Sequence, residues 1–389
     1  MSSELYEHVR ILSLKHRGAG TREEAEARNY IVSVLEKLGY KPQIYYFNTP
    51  PSFSYTYIII YLVIALAPIV SLLGHSFLAI LMTIIGLVLL LLEEEFYIPI
   101  LTTFLGKLFR KKSANVIVEV GRGSHLFILT AHYDSTKAAY SFNPRVVHRL
   151  RDTIRLNFAS ASIVSLLTVI GSILSKPMLL IAIVLSAPLW ISIMILVHRE
   201  LFHSYVPGAN DNASGVAVLL GVAKALATDT RLSELLNNTT ILIAFTGAEE
   251  VGLLGSHMLF RTLKDKLFKA IIINVDNPGA GTLTLTECEG VILRWCSNKA
   301  FRERLWKFAE SKGLSLVTYQ LLPTDATPLM RRGLNVTSLM AFDKGIIRNY
   351  HWYSDTIEGI EEENLEKAKN LIIDLLVYFK ESQKLRRYG

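Results

Sequence analysis

Five short motifs, in order along the chain, supply the side chains of a site for two divalent cations. They are His132-Tyr133-Asp134, Asp211-Asn212-Ala213-Ser214-Gly215, Glu249-Glu250, Asp276 and His351. Such a site needs hard or borderline donors, mostly carboxylate and imidazole, with one carboxylate to bridge the ions and one left free as a base. The chemistry that set would do is hydrolysis. Read singly, each motif has a plainer meaning. His-x-Asp can be a surface pair at a strand end, Asp211 a helix cap, Glu249-Glu250 an acidic helix start and Asp276 a turn residue. Together they ask for elements that bring them to one place.

Those elements are legible. Leu126–Thr130 reads as an apolar strand, and His132 and Asp134, two apart beyond it, leave the chain on the same side. Thr240–Phe245 and Ala270–Val275 read as buried strands that end beside Glu249-Glu250 and Asp276. Pro207–Gly215 is a turn-rich loop entering a helix at Val216–Ala227, and such a loop can present Asp211 at the C-terminal edge of a sheet. Asn115–Val120 and Leu126–Thr130 read as strands joined by the Gly121–Ser124 turn, which opens no helix and so is not a phosphate loop. Helices are expected over 2–17, 21–39, 253–263 and 365–380, with Thr21 and Glu24 as a capping box, and a strand over 41–47. Strands alternating with helices predict an α/β fold: a mostly parallel mixed sheet sandwiched by helices.

Two apolar runs are cut into this order. Thr56–Leu92 contains no Asp, Glu, Lys or Arg, and Leu156–Val197 contains only Lys176. A membrane span needs about 20 residues, so each run fits two short spans and a turn, at Ser71–Ser76 and at Ser175-Lys176-Pro177. The division expected is catalytic α/β sequence over 1–55, 93–155 and 198–389, with transmembrane hairpins at 56–92 and 156–197. The spans would pack as a four-helix bundle that anchors the site close to the bilayer surface, for peptides released at or tethered to the membrane. The runs carry much of the 51% hydrophobic content of the 389 residues. The net charge of +7 comes with no basic–aromatic interleaving, so flanking charges beside the spans explain it better than nucleic acid. Lys384-Leu385-Arg386-Arg387 reads as a solvated tail. No signal-peptide pattern opens the chain. Cys288 and Cys296 are the only cysteines, and their spacing leaves a local disulfide open.

The motif set resembles the di-zinc aminopeptidases of metallopeptidase family 28. It is carried by His132-x-Asp134, Gly208-Ala209-x-Asp211-Asn212-Ala213-Ser214-Gly215, Glu249-Glu250-x-Gly252-Leu253-x-Gly255-Ser256, Asp276 and His351-x-x-x-Asp355-Thr356. Arg17-Gly18-Ala19-Gly20 and Asn115-Val116-Ile117 extend it, and Thr324-Asp325-Ala326-Thr327-Pro328-Leu329 looks like a variant of the family's Ser-Asp-His-x-x-Phe loop, with Ala326 in place of the histidine. The resemblance implies a zinc-peptidase (phosphorylase/hydrolase-like) fold and two Zn²⁺, with Co²⁺ or Mn²⁺ as substitutes. His132 and Asp276 would hold one ion, Glu250 and His351 the other, and Asp211 would bridge them. Glu249 would be the general base toward a metal-bridged water, and Asp134 would orient His132. The substrates implied are peptides with a free N-terminus. Tyr350, just before His351, occupies the position from which some members polarise the carbonyl; as a loop aromatic it could equally pack on Trp352.

Two rival functions share this sequence. One is a glutaminyl-cyclase-like acyltransferase with a single zinc; the other is a catalytically silent membrane receptor or scaffold, against which the intact ligand set argues. Lys107, Arg110, Lys111, Lys112, Arg145, Arg149, Arg151, Arg155 and Arg199 lie on the side of the spans that carries the catalytic segments, and the far side offers Lys176. The positive-inside rule then places the catalytic domain in the cytoplasm. The remaining histidines read as structural.

Overall fold

A computed structural model of the chain describes residues 3–385; Arg386 and Arg387 of the basic tail lie outside it. One mixed sheet organises the molecule. Its strands are β1 (Gln43–Thr49), β2 (Lys111–Val120), β3 (Arg122–His132), β4 (Asn237–Thr246), β5 (Ile271–Val275), β6 (Thr282–Glu289), β7 (Trp295–Cys296), β8 (Ser315–Tyr319) and β9 (Asn335–Phe342). They are ordered β1-β2-β4-β3-β5-β9-β6-β7, with β8 beside β6. The central run β4-β3-β5-β9 is parallel. Period-two alternation within it serves two cores. Phe127, Leu129, Ile241, Ile243 and Ile273 face the helices Glu4–Ser13, Gly215–Thr228 and Glu362–Leu385. Ile128, Leu242 and Ile272 face the other side, packed with Leu259, Leu329 and Met330. Burial on both faces is why these strands read as unbroken apolar runs.

The turn at Gly121–Ser124 joins β2 to β3, but the two are not neighbours in the sheet: β4 lies between them, antiparallel to β2 and parallel to β3. The crossover passes so close to the start of β4 that a Cβ on Gly123 would fall 1.8 Å from the Asn238 carbonyl carbon. The expected capping box is half formed. Thr21 Oγ1 accepts from Glu24 N, while the Glu24 carboxylate turns to Gly20 N and Ser113 Oγ. Cys288 and Cys296 face one another across β6 and β7 and are joined as a disulfide.

Four helices among the described residues are long and apolar enough to cross a membrane: Ser54–Leu72, Ser76–Glu95, Val147–Ile173 and Pro177–Phe202. The shortest, at 19 residues, is roughly 28 Å long at 1.5 Å per residue. They pack around Ile60, Ile64, Ala161, Val164, Ala182 and Leu189. Polar pairs tie them together inside, Ser71 Oγ to Ser172 Oγ at 2.7 Å and Asn157 Nδ2 to Ser192 Oγ at 2.8 Å. Large apolar side chains such as Phe77 (83% exposed) and Val184 (71% exposed) face outward.

Each hairpin runs past the apolar stretch that marks it in the sequence. The second helix continues through Glu93-Glu94-Glu95 because these carboxylates are used. Glu93 accepts from Leu101 N, Thr102 N and Thr102 Oγ1, and Glu95 accepts from Leu293 N. The last turn of the fourth carries Arg199, which is buried rather than a free flanking charge. Its guanidinium donates to Ser52 and Ser54 at the start of the first hairpin, to Thr136 beyond β3, and to the neighbouring Glu200. One side chain thus staples both hairpins to the strand that carries His132.

Candidate metal centre

The sheet topology explains the convergence of the motifs. His132 ends β3, Glu249 and Glu250 follow β4, Asp276 follows β5 and His351 lies beyond β9. All four strands are parallel, so their C-terminal ends share one edge, where open α/β sheets place their sites. Asp211 arrives from the loop Ala209–Ser214, which precedes the helix Gly215–Thr228.

Asp211 sits between two histidines. Its Oδ1 lies 3.2 Å from His132 Nε2 and its Oδ2 lies 2.9 Å from His351 Nε2. Asp276 Oδ1 is 3.7 Å from His132 Nε2, and Glu250 Oε1 is 3.1 Å from His351 Nε2. Glu249 Oε2 stands further off, 4.0 Å from His132 Nε2. Two groups of three donors emerge, His132 with Glu249 and Asp276, and Asp211 with Glu250 and His351, each with its ligand atoms within 4.8 Å of one another. Asp134 lies behind them. It accepts from Glu249 N at 3.0 Å and Glu250 N at 3.1 Å, and its Oδ1 is 3.5 Å from His132 Nδ1. Tyr350 stacks on the His351 ring at 4.0 Å and also packs in the cluster that includes Trp352.

The electrostatics of this cluster call for a cation. Burial opposes charge on His351, but Glu250 and Asp211 hold its imidazole up at about 10. Burial likewise opposes charge on His132, and Glu249, Asp134, Asp211 and Asp276 hold it well above its usual range. Burial pushes the Glu249 carboxyl well up, with His132 opposing and Asp325, Glu250 and Asp276 adding to the rise. Glu250 is raised by burial as well, against His351. For Asp211 burial works the other way from its two histidines, and the histidines win, so its carboxyl is lowered. The buried Asp211 Oδ2 and Glu250 Oε1 receive no hydrogen bond. Buried carboxylates crowded together, with open lone pairs converging beside imidazole nitrogens, fit zinc as ligand set and as charge balance.

Several residues that build the site carry no metal-like signal of their own. Asp355 accepts from Asn210 N at 2.7 Å and Asp211 N at 3.0 Å, fixing the loop that presents Asp211. Arg17 is buried and donates to Tyr133 O, Leu12 O, Pro207 O and Gly208 O, so it joins the β3 end to the same loop. Asp325 accepts from Thr246 Oγ1 and faces Glu249, with burial raising its carboxyl to about 7. All three lie in the quoted motifs, and only their long-range hydrogen bonds reveal the task. Ala326, where the family's loop has histidine, is buried in the core beside Leu329 and Met330. Of the histidines read as structural, His8 meets Tyr30 Oη at 2.7 Å and His203 meets Tyr353 Oη at 2.9 Å.

Glu249, Glu250, Tyr350 and His351 open on a cavity, partly open to solvent, that is also lined by residues of the apolar helices, among them Tyr61, Glu94, Asn157 and Ser192.

Comparison with known proteins agrees with this geometry. Residues 193–376 match the model of peptidase family M28. That segment holds Asp211, Glu249, Glu250, Asp276 and His351; the sheet brings His132 and Asp134 to them from outside it. Aminopeptidase YwaD of Bacillus subtilis is 32% identical over 174 residues, 43% of this chain and 37% of that protein, so the chain spans little more than a third of that relative's length. Three solved structures share the fold. A zinc-dependent exopeptidase from Parabacteroides distasonis has a TM-score of 0.54 at 14% identity, covering 96% of both chains. A zinc aminopeptidase from Bacillus subtilis has 0.54 at 16%, covering 97% of this chain and 94% of that one. A glutaminyl cyclase from Bacteroides thetaiotaomicron has 0.53 at 14%, covering 96% of both. The matched segment, the curated relative and the ordered motifs agree: residues 193–376 of this chain are similar to peptidase family M28.

Proposed function

We propose that the chain is a membrane-embedded zinc aminopeptidase that removes N-terminal residues from peptides. The observation that carries this reading is Asp211, whose two carboxylate oxygens each face a different histidine, at 3.2 and 2.9 Å. In this reading His132 and Asp276 would hold one ion, Glu250 and His351 would hold the other, and Asp211 would serve both. The chemistry that two zinc ions supply when bound is polarisation of a carbonyl and a nucleophilic water at neutral pH. Glu249 takes the proton of the attacking water at its carboxylate and returns it to the leaving amine, a role supported by its position farther from the histidines than Asp211 and Glu250. Tyr350 Oη donates to the oxygen that develops charge, which its place in the cavity wall beside His351 supports. Asp134 positions the neighbouring backbone and His132 from behind.

A glutaminyl cyclase shares the fold. The donor set favours hydrolysis, because Asp211 stands between two donor pairs, His132 with Asp276 and His351 with Glu250, and Glu249 is left over as a base. Peptides with a free, an acetylated and a glutaminyl N-terminus separate the readings. Release of the first residue from the peptides with a free amine and none from the acetylated one is expected; conversion of the glutaminyl peptide to its cyclised form without release would replace the aminopeptidase by the cyclase.

The two hairpins are read as inserts that cross the bilayer and return, leaving the α/β sequence on one side. Exposed Lys107, Arg110, Lys111, Lys112, Arg145 and Arg149 on that side support a cytoplasmic domain, with Arg199 withdrawn from the count by burial. The Cys288–Cys296 disulfide pulls toward an oxidising compartment or a thermophile's cytoplasm. A cysteine at Ser175, in the far turn, decides: it is expected to react with an impermeant thiol reagent from outside intact cells, and reaction only after lysis reverses the orientation.

A further inference from the structure

Each of the four apolar helices contributes to the cavity that holds Glu249, Glu250, Tyr350 and His351. Tyr61 comes from the first, Glu94 from the second, Ile154 and Asn157 from the third, and Ser192 and Ile195 from the fourth. An anchor would not reach into the reaction space. We propose that the bundle forms the subsite for the substrate's N-terminal side chain, and that the subsite selects large apolar residues. The inference rests on the aminopeptidase reading and deepens it.

The polar groups of this wall already have partners. Asn157 and Ser192 exchange two hydrogen bonds, at 2.8 and 3.0 Å. Tyr61 lies beside Asn157, and Tyr57 beside Glu94. Buried polar groups that satisfy one another ask nothing of a ligand. What they leave open is apolar surface from Ile154, Ile195, Leu196 and Phe142. A lysine side chain would have to shed its water against that apolar surface. The direction of the substrate follows from the reading. With the scissile carbonyl between Glu249 and Tyr350, the peptide beyond it must run to solvent. A cavity walled by membrane helices receives a group of finite length, and the first side chain is that group. Its walls give a membrane helix's apolar terminus a place to go once it is exposed at the bilayer surface.

The test uses the full chain in detergent. The p-nitroanilides of alanine, leucine, phenylalanine and lysine give relative kcat/KM. Leucine and phenylalanine are expected to exceed alanine by about 10–100-fold, the range that a few methylene groups supply. Ile195→Trp, which fills the cavity from the fourth helix, should cut phenylalanine turnover at least about tenfold and lower the phenylalanine-to-alanine ratio of kcat/KM by the same order. A second measurement needs neither turnover nor a variant. A tripeptide with an N-terminal diazirine analogue of leucine is photo-crosslinked to the unmodified protein and the label mapped by mass spectrometry. Label within residues 150–157 or 192–196 is expected. Preference for lysine that Glu94→Gln removes would overturn the apolar subsite in favour of an acidic one. Cleavage of the alanine substrate with label confined to the α/β sequence would overturn the subsite and leave the aminopeptidase standing. Label in the bundle with no hydrolysis of any substrate would do the reverse.

Discussion

At the residue scale, the account turns on two adjacent glutamates with different tasks. Glu250 lies 3.1 Å from His351 and Glu249 no nearer than 4.0 Å to His132, so Glu249→Gln should keep both metals and lose about 10²–10⁴-fold in kcat, whereas Glu250→Gln should lose metal at one site. Metal analysis of the two variants checks the assignment, and loss of metal from Glu249→Gln alone reverses it. The same crowding makes the metal-free protein sensitive to base. Burial raises Asp355 and Asp325 to about 7 and Glu24 to about 8, and carboxylates raise His351 to about 10. In the folded state these groups hold protons that the unfolded chain has given up, so stability falls as pH rises from about 4 through about 10. Thermal melts after chelation should therefore show a Tm that decreases over that window, and added zinc should flatten the slope. A Tm that rises with pH in the chelated protein would contradict the picture of carboxylates lacking their cation. His132, Glu249, Glu250 and Asp276 were legible because each ends or closely follows a buried strand, where a titratable side chain stands out against an apolar run; His351 lies in a turn beyond β9 and stood out only as part of the ordered motif set. Arg17, Asp355 and Asp325 were not legible as structural supports. Their partners lie in distant segments, as with the Arg17 bond to Gly208 O, 191 residues away, and no local pattern encodes such a bond.

At the scale of elements, the hairpins decide what the molecule can bind. Replacing residues 158–198 by a short Gly/Ser linker removes Ser192, Ile195 and Leu196 from the cavity wall and leaves Asn157 without its partner. Activity on a soluble dipeptide with an apolar N-terminus should then drop at least about tenfold, as it does on a membrane-tethered peptide. Wild-type turnover of the soluble substrate would return the hairpin to the status of an anchor. The apolar runs were plain in the sequence because nothing but a membrane or a deep core accounts for such lengths. Their true ends were not, because Glu93–Glu95 and Arg199 look like the charges that stop a span. Only the backbone amides at Leu101, Thr102 and Leu293 and the hydroxyls at Ser52, Ser54 and Thr136 show that Glu93, Glu95 and Arg199 find partners inside. The parallel centre of the sheet was legible from the buried runs at β3, β4 and β5. The placement of β4 between β2 and β3 was not, because strand order is fixed by pairing across more than a hundred residues.

At the scale of the whole molecule, the sheet edge that carries the donor residues and the four apolar helices share one cavity, and the donor cluster lies at their junction. The inserts lie at positions where chain length is cheap, since closure entropy grows only with its logarithm. The second insert nevertheless starts and ends between His132 and Asp211, two donors 3.2 Å apart, so the site and the bundle have to fold together. The most direct test of this account is zinc stoichiometry on the full chain. The purified protein is stripped by chelation and titrated with Zn²⁺ while release of an N-terminal residue is followed. The account predicts two tightly held ions per chain and activity that needs the second. Activity complete at one equivalent, with no second ion bound, would contradict it and would favour single-zinc acyl transfer at the N-terminus.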